Sequence, residues 1–117
     1  MDASHGTPPK FYDLSLEQRR QWLIEHTNLT PEDIAALSGQ AGLSAEQADH
    51  MIENVIGTFA LPLGLARHFV INGREVLVPM AVEEPSVVAG ASFAARLARA
   101  GGGFTAHATA PEMIGQM

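Results

Sequence analysis

The chain of 117 residues contains no cysteine, one lysine (Lys10), one tryptophan and one tyrosine. Without thiols there can be no disulfide, thiolate zinc site or cysteine nucleophile. The formal net charge is −6, and seven Lys plus Arg spread thinly do not form the basic face of a nucleic-acid binder. No apolar run approaches the roughly 20 residues of a membrane-spanning helix. The opening residues, Met1 to Lys10, lack the apolar core of a signal peptide. These omissions predict a cytoplasmic protein that binds neither nucleic acid nor membrane. No two of the histidines His5, His26, His50, His68 and His107 share an i, i+3 or i, i+4 spacing, so no metal site is expected. Gly-x-Ser-x-Gly, Gly-x-Gly-x-x-Gly and Walker motifs are absent. Gly101–Gly103 follows a predicted helix, the wrong order for a phosphate cradle.

What remains is 46% hydrophobic and 17% charged, which suits one globular domain with a modest core. Met1–Pro9 reads as a loose arm. Ser15-Leu-Glu-Gln18 fits a capping box, opening a helix to about His26. Thr30 caps a second short helix, with Pro31 at its first position, two acids in its first turn, and Gly39 to end it. Ser44-Ala-Glu-Gln47 is another capping box. The helix it opens carries Ala48, Met51, Ile52 and Val55 at helical spacing, which puts Glu53 and Asn54 in its last turn. On the residues alone, Glu53 could equally be a solvated side chain.

Pro62 and Gly64 break the next segment. His68–Ile71 and Arg74–Val78, joined by Asn72-Gly73, read as a β-hairpin, because both turn residues tolerate the positive φ of a type I′ turn. Pro79 ends the second strand or marks an edge. After Glu83-Glu84-Pro85-Ser86 comes a helix to Ala100, with Pro85 suited to its first position. It is so rich in Ala, Gly and Ser that burial at the domain centre is expected. Phe104–Ala110 reads as a third strand. The fold class is α+β: short N-terminal helices, a hairpin, a buried small-residue helix and a following strand. The expected division is 1–43, an arm with two short helices, and 44–117, part of a larger domain. The chain stops at Ile114-Gly-Gln-Met117 without a polar tail, which predicts a longer parent.

Glu83 and Glu84 are the sharpest chemical feature. Two carboxylates at the start of a buried helix repel each other, and burial keeps at least one protonated, ready to deliver a proton to a reacting oxygen. They could also be plain acids favoured by the helix dipole.

Glu53-Asn-Val-Ile-Gly57, together with Val78-Pro-Met-Ala-Val-Glu-Glu-Pro-Ser-Val-Val-Ala89, resembles the N-terminal part of a 3-hydroxy-3-methylglutaryl-coenzyme A (HMG-CoA) reductase of the bacterial and archaeal class II type. The resemblance runs from about Phe11 to the end. It implies reduction of the thioester through a mevaldehyde-level intermediate to mevalonate and coenzyme A, using two NADH or NADPH; degradative bacterial members run the reaction backwards. Of the family's catalytic glutamate, lysine, aspartate and histidine, the motif places the glutamate at Glu84, and the other three fall beyond this chain. So does the nicotinamide-binding domain, which leaves 44–117 as a partial substrate-binding domain. The resemblance also implies that Ser86 hydrogen-bonds the hydroxymethylglutaryl part, that Arg96 lies near the coenzyme A phosphates, and that Glu53 and Asn54 support the active site at a homodimer interface. The chain alone is expected to be inactive. Tyr12 and Asp13 stand where some relatives carry a basic residue near coenzyme A. Two other functions fit a chain of this length: a non-catalytic dimerisation module derived from the reductase, and a small acyl-CoA-binding protein.

Overall fold

A computed structural model describes residues 9–39 and 42–115, and the chain divides into two compact units, Met1–Thr58 and Phe59–Met117. The arm expected over Met1–Pro9 lies, except for Pro9, outside the described residues.

The first unit is helical. A 3-10 turn at Phe11–Asp13 precedes α1 (Leu16–His26), α2 (Pro31–Leu37) and α3 (Ala45–Asp49). Each α-helix opens with a reciprocal capping box. The Gln18 N–H donates to Ser15 Oγ (3.2 Å) while the Ser15 N–H donates to Gln18 Oε1 (2.8 Å). Ser44 and Gln47 repeat the pattern. In α2 the box is Thr30 with Asp33, a pairing not anticipated from the sequence. The Thr30 backbone N–H, and then its hydroxyl, hold the Asp33 carboxyl below its ordinary pKa. Packing is thin: Ile34 and Ala48 are the buried apolar side chains, and a ring cluster joins Phe11 edge-on to Trp22 and Trp22 face-on to His26.

The expected third helix is too long. α3 ends at Asp49, so Glu53 and Asn54 lie in the turn beyond it. Met51 and Ile52 are exposed, so nothing packs against them to extend a helix whose own propagation is marginal at this length. Asn54 then takes a φ of 59°, which no helix continues through.

The second unit is built on an antiparallel hairpin, β1 (Leu63–Ile71) with β2 (Arg74–Ala81). Asn72 and Gly73 have φ of 51° and 76°, as a type I′ turn requires. The strands run further than expected. Gly64 belongs to β1, and a Cβ there would meet Val88 Cγ2 at 2.9 Å, so the glycine allows a close approach rather than a break. Pro79 sits inside β2 opposite Leu65, tolerated because β2 has no second strand neighbour among the described residues.

α4 (Val87–Ala100) packs on β1. Ala66 and Ala95 are fully buried, whereas Phe93 and Leu97 remain more than half exposed. The small-residue helix therefore buries one stripe and leaves an apolar face open. The expected third strand contracts to an isolated parallel bridge of Phe104 with Ile71. There the Phe104 N–H donates to Val70 O (2.7 Å) and the Asn72 N–H donates to Phe104 O (2.9 Å). The Asn72 carboxamide extends the join, donating to Ala106 O and accepting from the Ala106 N–H, both at 3.0 Å. Gly103, at φ 85°, brings the chain against Val70 so closely that a Cβ would overlap the Val70 carbonyl.

Candidate functional site

The turn between β2 and α4 holds the residues singled out for chemistry. The Val82 N–H donates to Pro62 O (3.1 Å), fixing the strand end from which Glu83 and Glu84 emerge. Both carboxylates are exposed, and Pro85 lies in the turn instead of at the first helical position. The burial expected to keep one carboxyl protonated is therefore not provided by the described residues; with α4 only half covered, no layer closes over this turn.

Ser86 is the helix N-cap, but an unusual one. Its φ is 71°, and its side chain caps no backbone N–H. A left-handed conformation costs a non-glycine residue about 1–2 kcal/mol. Its carbonyl still accepts the Gly90 N–H at 2.8 Å, so the helix begins normally from a strained residue. The strain turns the hydroxyl out of its usual capping role, which contrasts with Ser15, Thr30 and Ser44 in the first unit.

Arg96 is exposed on α4, its guanidinium 5.4 Å from the centroid of the Phe93 ring. Ten residues separate it from Ser86, about 15 Å along the helix at 1.5 Å per residue. A small molecule cannot reach both; an extended one lying along the helix can. Glu53 and Asn54 are exposed and belong to the other unit. Glu84, Ser86 and Arg96 thus share one turn and one helix, while Glu53 and Asn54 form a separate group.

Sequence reasoning missed one junction. β1 carries an irregularity between Ala66 and Phe69, where Arg67 and His68 together oppose the single residue Leu77. His68 has a φ of 70°, and the Arg67 N–H donates to Ser92 Oγ at 3.0 Å, fastening α4 to the bulge. Burial first, then Arg67, Arg96 and Arg99, hold the His68 imidazole below its ordinary pKa. The available signal was the histidine itself, since His, like Asn, is enriched among non-glycine residues with positive φ.

Among the described residues no helix is long and apolar enough to cross a membrane, and no group of three His, Asp or Glu could hold a metal ion. They also contain no strand–helix–strand unit opening on a glycine-rich turn, the arrangement that cradles a dinucleotide in doubly wound folds.

Known proteins similar to this chain in sequence and in geometry agree with one another. The family model for hydroxymethylglutaryl-coenzyme A reductase matches residues 15–117. A 3-hydroxy-3-methylglutaryl-coenzyme A reductase of Archaeoglobus fulgidus is 55% identical over 109 residues, which is 93% of this chain and 25% of that protein. A probable reductase of Borreliella burgdorferi is 46% identical over 48 residues, 41% of this chain and 11% of its own length. Among solved structures, the reductase of Streptococcus pneumoniae superposes with a TM-score of 0.75 at 42% identity, over 81% of this chain and 23% of that one. A class II reductase from the same organism, solved bound to NADPH, matches with a TM-score of 0.74. The chain therefore spans about a quarter of the relatives it matches over most of its own length. It belongs to the hydroxymethylglutaryl-coenzyme A reductase family.

Proposed function

We propose that this chain is the N-terminal part of a class II reductase that interconverts HMG-CoA with mevalonate and coenzyme A in the cytoplasm, and that residues 44–117 supply part of its substrate domain. The observation that carries this is the Glu84-Pro85-Ser86 turn, where a strained N-cap leaves its hydroxyl uncommitted beside an exposed carboxylate at the mouth of α4. NADH or NADPH, held by parts of the parent outside this chain, would supply the hydride that reduces the thioester carbon. Glu84 gives a proton to the oxygen that becomes negative as that hydride arrives. Breaking the C–S bond of the resulting hemithioacetal, with its hydroxyl proton passing to the departing sulfur, leaves coenzyme A as the free thiol and an aldehyde; the alcohol would then need one further hydride and a second proton delivered to the same oxygen. Ser86 hydrogen-bonds the hydroxymethylglutaryl part. The long pantetheine arm suits a ligand running along α4, which places the phosphates within reach of Arg96 about 15 Å away.

The turn is exposed in this chain; its cover comes from the rest of the parent and from a second subunit, to which Glu53 and Asn54 contribute in a homodimer or higher homo-oligomer. In the full-length parent, Glu84→Gln should lower kcat for reduction by about 100-fold or more, the scale of a lost general acid, with little change in KM for HMG-CoA. Glu83→Gln should leave kcat within a few-fold. Retained activity in Glu84→Gln, or equal loss in both variants, overturns the assignment.

A further inference from the structure

Asn72-Gly73 is the one Asn-Gly pair in the sequence; Asn28 precedes Leu29 and Asn54 precedes Val55. An asparagine followed by glycine is chemically labile, because no side chain shields the next amide nitrogen from the carboxamide carbon. Both residues are exposed at the tip of the hairpin, so water reaches them. The carboxamide is nonetheless occupied at both ends. Its Nδ2 donates to Ala106 O and its Oδ1 accepts the Ala106 N–H, each at 3.0 Å. The backbone beside it is tied as well: the Asn72 N–H donates to Phe104 O at 2.9 Å, and the Phe69 and Phe104 rings stack with centroids 5.6 Å apart. Cyclisation requires the Gly73 nitrogen to approach the carboxamide carbon from above the amide plane. Two hydrogen bonds to one residue fix that plane, so the group cannot swing toward Gly73 without releasing Ala106.

We propose that Asn72 is a deamidation site gated by Ala106, and that its conversion loosens residues 104–106 from the hairpin irreversibly. The Gly73 N–H gives its proton to water, the nitrogen bonds to the Asn72 carboxamide carbon, and the bond from that carbon to Nδ2 breaks, the departing nitrogen taking up a proton to leave as ammonia. Water then opens the cyclic imide at either carbonyl. The sum is one water consumed and one ammonia released, with no oxidation or reduction. Aspartate at this position still accepts the Ala106 N–H but sets a carboxylate oxygen against Ala106 O, where neither group can donate. Isoaspartate adds a backbone carbon to a two-residue loop, which type I′ geometry does not accommodate. Either product weakens the same join. The site is separate from the Glu84 turn and does not depend on the role given to it.

The test uses the 117-residue chain at mildly alkaline pH, with conversion at Asn72 followed by peptide mapping. In the folded chain Asn72 should convert about tenfold or more slowly than in the same chain unfolded in urea, the scale on which two hydrogen bonds hold a group closed. Ala106→Pro removes the N–H that Oδ1 accepts and should speed conversion several-fold in a chain that is still folded. A folded rate equal to the unfolded one, or an Ala106→Pro rate equal to the native one, overturns the gate. Should that variant fail to fold, urea below the unfolding transition decides on the native chain. Conversion must then rise in step with amide hydrogen exchange at Ala106, read by NMR, and a flat rate while that amide opens overturns the proposal. The converted chain, separated by its added negative charge, should lose protection at the Phe104 and Ala106 amides and keep it at the Arg67 amide, which donates to Ser92 Oγ. Full protection at Phe104 and Ala106 after conversion overturns the loosening.

Discussion

The two units of this chain are held together by different kinds of interaction. In Met1–Thr58 nearly every described hydrogen bond outside the helices closes over two to four residues: three capping boxes, His26 Nδ1 to the Trp22 carbonyl, and His50 Nδ1 to the Glu46 carbonyl. Among its described residues two apolar side chains, Ile34 and Ala48, are buried. In Phe59–Met117 the telling bonds span 25 residues from Arg67 to Ser92 and 34 from Asn72 to Ala106. Local interactions set helix boundaries but bury little, so such a unit is expected to open easily. Distant interactions set register and hold α4 against the hairpin, and the turn carrying Glu84 and Ser86 lies between those two elements. The candidate site thus depends on the unit organised over distance.

The sharpest way to break that contrast is Gly103→Ala. The φ of 85° disfavours any side chain, and a Cβ would overlap the Val70 carbonyl, which is backbone and cannot give way cheaply. The expected loss is about 2 kcal/mol or more in the second unit. Denaturation followed at Phe104 and β1 amides should show it, while α1 amides keep their protection. A parallel loss in α1 would mean that the units share their stability.

Asn72 can be dissected. Asn72→Ala removes two side-chain hydrogen bonds to Ala106 and places Ala at a φ of 51°, with an expected cost of about 2 kcal/mol. Asn72→Gly keeps the turn conformation and removes only the clamp, so it should cost about half as much. Equal losses in the two variants would show that the clamp on residues 104–106 carries the whole effect and the turn geometry none of it.

Legibility in the sequence followed the same division. The caps at Ser15, Thr30 and Ser44 and the Asn72-Gly73 turn are short-range chemistry, and each lies where its residues indicated. The bulge at Arg67 and His68 left only one faint mark, the tolerance of histidine for positive φ, because hairpin turn chemistry predicts register and carries no sign of an inserted residue. Gly64 read as a breaker, since its reason, the approach of Val88, lies 24 residues away. α3 was drawn too long because helical spacing at Met51, Ile52 and Val55 says nothing about whether a partner exists to cover it. At the site, the Glu84-Pro85-Ser86 motif was plain, but its environment was not: exposure of both glutamates reflects the open side of α4, which no local pattern records.

The smallest expected effect tests the local half of the comparison. Ser44→Ala removes one arm of the capping box on α3, which has only five residues and one buried side chain, Ala48. N-cap removal costs about 1 kcal/mol. A helix this short has little else to hold it, so a loss of that size should melt α3 visibly, with the amides of Gln47 and Ala48 losing protection. Ser15→Ala should cost a similar amount yet leave α1 largely formed, because eleven residues and the Phe11–Trp22–His26 rings support it. Neither change should move the Arg67 or Phe104 amides. Propagation of the Ser44→Ala loss into β1 would show that the cap serves more than its own helix, and local bonding would no longer describe the first unit.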